Sequence, residues 1–138
     1  MTAKKIYVTD KDLARLLELL KTTIPASDSG KKDLKKLKQE LDRAEIRESA
    51  SIPPDVVTMN SKVQLTDLDS GKEYEWRLVY PKDENISQGR ISILAPLGSA
   101  LIGYREGDSF EWEVPSGLRK FRIGKVLFQP ESAGFSNL

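Results

Sequence analysis

The sequence predicts an α+β protein in which a short antiparallel helical hairpin precedes a small antiparallel sheet. Three observations carry that expectation. Leucines recur at helical spacing up to Ala44, apolar and polar residues alternate at strand spacing after Asp55, and Pro53-Pro54 stands between the two regimes.

Thr9-Asp-Lys-Asp12 offers an N-cap with acids in the first turn, and Leu13, Leu16, Leu17 and Leu20 come after it at helical intervals. A first helix is expected over residues 10–21. The connector Ile24-Pro-Ala-Ser-Asp-Ser-Gly30 consists of turn formers and so should hold Asp28. Leu34, Leu37, Leu41 and Ala44 then predict a second helix with one apolar seam. At about 17 residues it would span about 25 Å. Two singly striped helices with a short connector pack most simply as an antiparallel hairpin over residues 1–48, its base leaning on the sheet domain. Residues 49–54 are expected to be a linker, and residues 55–138 a sheet domain with a frayed tail from residue 130.

Strands are expected over residues 56–59, 62–68, 73–80, 90–95, 109–114 and 120–128, with a hairpin turn at Asp69-Ser-Gly71. Pro96 cannot donate to a ladder and should open a helical turn; Gly103 suits a left-handed helix cap, and Gly107-Asp108 a second turn. In the last strand Phe121 and Ile123 share one phase while Val126 and Phe128 share the other. A bulge at Gly124-Lys125 would reconcile them.

Composition removes several kinds of chemistry. With 22 basic and 21 acidic residues the chain has no field to draw it onto nucleic acid, and with neither Cys nor His it lacks thiols, disulfides and the usual zinc ligands. Any catalysis would fall to carboxylates, Lys, Ser or Tyr. No stretch approaches the roughly 20 apolar residues of a membrane span, and residues 1–7 lack a signal-peptide core, so cytoplasmic residence is expected.

Over residues 89–128, the marks Ala95-Pro96, Ala100-Leu-Ile-Gly103, Gly107-Asp108 and Pro115-Ser-Gly117 resemble the carboxy-terminal domain of Gre-type transcription elongation factors. Leu41-Asp-Arg-Ala44, Pro54-Asp-Val-Val-Thr-Met-Asn-Ser61, Leu78-Val-Tyr-Pro81, Ala95-Pro-Leu-Gly98 and Gln129-Pro-Glu131 extend the likeness to the regulator of nucleoside diphosphate kinase branch of that family. The resemblance implies an FKBP-like sheet domain and docking on bacterial RNA polymerase at the rim of its secondary channel. Nucleic acid would be met only within that complex. No cofactor, membrane or small-molecule substrate is implied.

The same resemblance suggests which residues would act. Leu94-Ala-Pro96 falls where Gre sheet domains present an acid, a serine and a proline, and only Pro96 is kept. An apolar contact by Leu94, Ala95, Pro96 and Leu97 is therefore expected, with a place in the core as the alternative for Leu94, Pro96 and Leu97; if Leu97 is an interface residue, Leu97→Glu should abolish polymerase binding while leaving the fold intact. Gre factors hold a polymerase magnesium ion with two acids at the tip of a longer coiled coil; here the acids near the turn are Asp28 and Asp33. Their spacing departs from the Gre pattern, and the arm is short. Docking without transcript cleavage is expected, with a cleavage factor as the alternative reading. Lys31, Lys32, Lys35, Lys36 and Lys38 oppose the dipole at the start of the second helix and repel one another, which suits either an anionic partner or a solvated face. Tyr74, Trp76, Tyr80, Phe110, Trp112 and Phe121 would line an isomerase-like pocket or, at strand spacing, simply fill the core.

Overall fold

The computed structural model describes residues 6–25, 28–114 and 117–134, with the backbone alone at Ser29, Pro96 and residues 112–114. The first element is one that sequence periodicity did not reveal. Strand β1 (Tyr7–Thr9) pairs in parallel with β2 (Glu45–Arg47), Val8 lying opposite Ile46. Three residues are too few for alternation to register. The Tyr7 ring is flanked by the Arg47 and Arg105 guanidiniums, 5.2 and 5.7 Å from its centroid, so the ribbon also meets the sheet domain.

Between those strands run α1 (Asp10–Thr22) and α2 (Asp28–Arg43). Thr9 caps α1, its side chain accepting from the Asp12 N–H at 3.1 Å. Helix α2 begins earlier than expected, so Asp28 lies in its first turn and not in the connector. An acid at that end meets the positive pole of the dipole, which favours the earlier start. Leu16, Leu37 and Leu41 are buried in one cluster with Val63, Leu65, Leu78 and Ile123. The base of the hairpin thus leans on the sheet, as its single apolar stripes require.

The sheet comprises β3 (Lys62–Asp67), β4 (Glu73–Val79), β5 (Arg90–Ser92), β6 (Ser109–Val114) and β7 (Gly117–Phe128), in the order β5-β4-β3-β7-β6. Its neighbours are antiparallel except β4 and β5, which run parallel. The expected bulge is present. Val63 faces Val126 and Leu65 faces Ile123, leaving Gly124 and Lys125 opposite Gln64 alone. A Cβ at Gly124 would sit 3.3 Å from the Gln64 carbonyl oxygen, so a small residue suits the bend.

The β3–β4 turn also falls where expected. The Asp67 N–H donates to the Lys72 carbonyl oxygen at 2.8 Å, while Gly71 takes a φ of 76°. Helix α3 (Pro96–Leu101) begins on its proline, and Gly103 has a φ of 80°. A Cβ there would lie 2.6 Å from that of Ile6, so glycine also lets the ribbon approach.

Three expectations need correction. Residues 56–59 are buried but form no strand, only a bridge from Val56 to Arg105. Their backbone groups bond singly, Val57 N–H to the Tyr104 carbonyl and Val57 C=O from Gly103 N–H, so no ladder is needed to satisfy them. Strand β5 stops at Ser92 because the Leu94 and Ala95 N–H groups turn back onto Ser92. The segment from residue 130 to 134 is a folded turn, with Ala133 N–H donating to the Gln129 carbonyl at 3.0 Å and Ser132 Oγ donating to it as well.

Candidate functional site

The corner between β5 and α3 holds the residues expected to dock. Ser92 organises it: its hydroxyl accepts from the Leu94 N–H at 3.0 Å, its carbonyl accepts from the Ala95 N–H at 3.0 Å, and its own N–H donates to Glu84 Oε2 at 3.2 Å. A Cβ at Gly98 would fall 2.0 Å from the Ser92 carbonyl oxygen, so only glycine lets α3 close this tightly on the corner. The result is a backbone apex with little freedom to move.

Leu94 and Ala95 are half-buried there, and the Pro96 side chain lies outside the described residues. Leu97 is different. It is only 6% exposed and belongs to the central core, so the expectation that Leu97→Glu would spare the fold is overturned. A carboxylate in that site would be desolvated without a partner.

At the start of α2, Asp28 is exposed and Asp33 half-buried. Five residues along a helix turn side chains by about 140°, so the two carboxylates leave α2 in diverging directions. Such an arrangement does not make a paired tip for a hard cation. Lys31, Lys32, Lys35, Lys36 and Lys38 are all exposed, and Lys38 approaches Asp42 at 3.9 Å. Because α2 starts at Asp28, the dipole weighs chiefly on Lys31 and Lys32. Lys35 and Lys36 sit mid-helix and feel mainly repulsion from the two lysines one turn before.

Of the six aromatics, Phe110 and Phe121 are buried and stacked, 5.8 Å between centroids, with Tyr104 edge-on to Phe110. They serve as core. Trp112's side chain lies outside the described residues, Tyr74 is exposed, and Trp76 is half-buried against the core. A groove of about 880 Å³ does lie between α1 and residues 80–83, but among the described members of the six it takes only Tyr80, beside Ala14, Arg15, Leu19 and Pro81.

A polar junction between arm and sheet domain escaped sequence reasoning altogether. Asp12, 3% exposed, accepts from the Met59 N–H at 3.1 Å, while the neighbouring Thr58 hydroxyl donates to Glu131 Oε1 at 2.7 Å. Burial pushes the Asp12 carboxyl up to about 6, and the Glu131 charge adds to the rise; the Met59 N–H, Thr9 and Arg15 act in the other direction. Burial also raises Tyr80, with the Asp12 charge contributing. In the sequence Asp12 reads simply as a first-turn acid, and nothing local signals that it faces inward.

Comparison with known proteins fits this architecture. Residues 52–128 match the family model "Transcription elongation factor, GreA/GreB, C-term", and residues 4–46 match the model "Rnk N-terminus". A solved GreA/GreB-type elongation factor from Nitrosomonas europaea superposes with a TM-score of 0.75 at 42% identity, covering 91% of this chain and all of that one. The GreA factor of Nitrobacter winogradskyi is 37% identical over 90 residues, 65% of this chain and 57% of that protein. The sheet with its crossing helix is therefore that of a Gre-type transcription factor. The regulator of nucleoside diphosphate kinase of Escherichia coli K12 is 37% identical over 97% of both chains. The chain belongs to the regulator of nucleoside diphosphate kinase (Rnk) branch of the Gre transcription elongation factor family.

Proposed function

We propose that this chain binds bacterial RNA polymerase near the secondary channel and modulates elongation without catalysing a reaction. In this reading residues 1–48 form a stunted arm, residues 49–54 join it, and residues 55–138 form the docking body. The observation that carries it is the arm itself. Its longer helix has 16 residues, about 24 Å, and its two tip-side acids diverge. A body that docks through the Leu94–Ala95 corner would hold such an arm in the channel entrance without delivering a paired carboxylate to a distant metal. The protein would then compete with Gre factors for the same entrance.

Two measurements test the reading. In a pull-down with purified core polymerase, added Gre factor should displace this protein; no association, or association indifferent to the competitor, overturns channel docking. Added to backtracked elongation complexes, the protein should leave the transcript at full length. RNA shortening that disappears in Asp28→Asn or Asp33→Asn would establish the cleavage alternative instead.

A further inference from the structure

The arm and the carboxy-terminal turn share one point of contact on the body besides the arm's apolar base. Both converge on the loop at residues 56–61, which is itself cross-braced. Thr58 N–H donates to Ser61 Oγ at 2.9 Å, and the Thr58 and Ser61 hydroxyls lie 2.9 Å apart. The Thr58 hydroxyl has one proton and gives it to Glu131, so Ser61 must donate to Thr58. On the adjacent residue, the Met59 N–H is taken by Asp12 from α1. The turn is anchored a second time by Gln129, whose Nε2 donates to the carbonyls of Pro53 and Val56 at 2.8 and 2.9 Å. Two carboxylates, one from each end of the chain, are thus held by neighbouring residues of one loop.

We propose that the carboxy-terminal turn is a strap whose charge sets how firmly the arm is held, through repulsion between Glu131 and Asp12 across the Thr58–Met59 step. Asp12 is nearly sealed from water, whereas Glu131 is half-buried and open to a partner. The groups that face Asp12 are Arg15 on its own helix, Tyr80 after β4, and Glu131 on the turn, with the Met59 N–H and Thr9 as its hydrogen-bonding neighbours. Of these charged groups, Glu131 is the one that adds cost to an ionised Asp12. Neutralising Glu131, or pairing it with a basic group of a bound partner, removes that cost and tightens the arm. Docking against the turn would then stiffen a helix at the opposite end of the sequence without touching it.

The coupling has a defined signature in the intact chain. By hydrogen exchange at pH 8, Glu131→Gln should slow opening of the α1 amides by roughly threefold. In an Asp12→Asn background the same change should do nothing, because the group it repels is gone. An equal effect of Glu131→Gln in both backgrounds, or none in the natural one, overturns the proposal. Should Asp12→Asn fail to fold, the Asp12 carboxyl can be titrated by carbon NMR in the natural chain and in Glu131→Gln. Its midpoint should drop in the variant; an unchanged midpoint overturns the strap. Gln keeps the oxygen that accepts from Thr58, so a merely structural role for that bond would leave the midpoint in place.

Discussion

Asp12 in the arm and Asp67 in the body are almost equally hidden, 3% and 1% exposed, yet the fold treats them in opposite ways. Asp67 is surrounded by donors. Burial alone would raise its carboxyl, but the Asp69 and Ser70 N–H groups and the Arg119 guanidinium, at 2.6 Å, hold it below the ordinary carboxylate range. Asp12 accepts from Met59 and has Thr9 and Arg15 beside it, but burial, with the Glu131 charge, outweighs them and holds it up. Whether a buried charge strengthens or weakens a fold depends on the donors turned toward it and not on depth alone. The body is built for fixity; the arm carries an electrostatic load.

The sharpest way to break that contrast is to place an unpartnered charge in the body. Leu97→Glu should destabilise by about 4 kcal/mol or more and leave little folded protein, read by circular dichroism and thermal melting. A soluble, cooperatively melting Leu97→Glu variant would show that the β5–α3 corner can open to solvent.

Next in size is the pair of aspartates. Asp12 has a raised value in the fold, so its protonated form is favoured there: its relative stability is complete below about pH 4 and is lost as pH rises to about 6. At pH 8 the cost is at most about 3 kcal/mol, and Asp12→Asn, which keeps an acceptor for Met59, should recover part of it and flatten the profile between pH 4 and 6. Asp67 has a lowered value, so its contribution is present above about pH 4 and is lost as pH falls through its folded value. Asp67→Asn should lower Tm at pH 7, on the order of 5 °C, and the difference from the natural chain should shrink in acid. Melting curves from pH 3 to 8 check both signs; profiles moving in the same direction would dissolve the comparison.

The smallest expected effect lies on the lysine face. Reversing Lys35 and Lys36 to Glu replaces repulsion from Lys31 and Lys32 with attraction, and should stabilise the arm by a few tenths of a kcal/mol. The same variant should bind polymerase more weakly if an anionic surface meets this face. Unchanged binding would leave these lysines as a solvated exterior.

Much of the fold was legible because it rests on short-range rules. Leucine spacing gave α1 and α2, the Asp-Ser-Gly turn gave the β3–β4 hairpin, Pro96 gave the start of α3, and the change of phase after Ile123 gave the bulge. The site was less legible. Leu94 and Leu97 look alike in sequence, yet one lies half-buried at a corner and the other in the core, a difference set by how Gly98 lets α3 close on Ser92. Residues 56–59 have strand composition without a strand because tertiary partners satisfy their backbone one bond at a time.

Composition and periodicity by themselves determined the class of this protein, its division into helical arm and sheet, and the absence of cysteine and histidine chemistry, since each depends on which residues occur and at what interval. Tertiary structure alone decided that a parallel ribbon closes the arm, that the carboxy-terminal turn is folded, and that Asp12 and Glu131 meet on one loop. Those features join residues far apart in the chain, and the energy of such contacts depends on distance in space and on excluded water, neither of which a local pattern records.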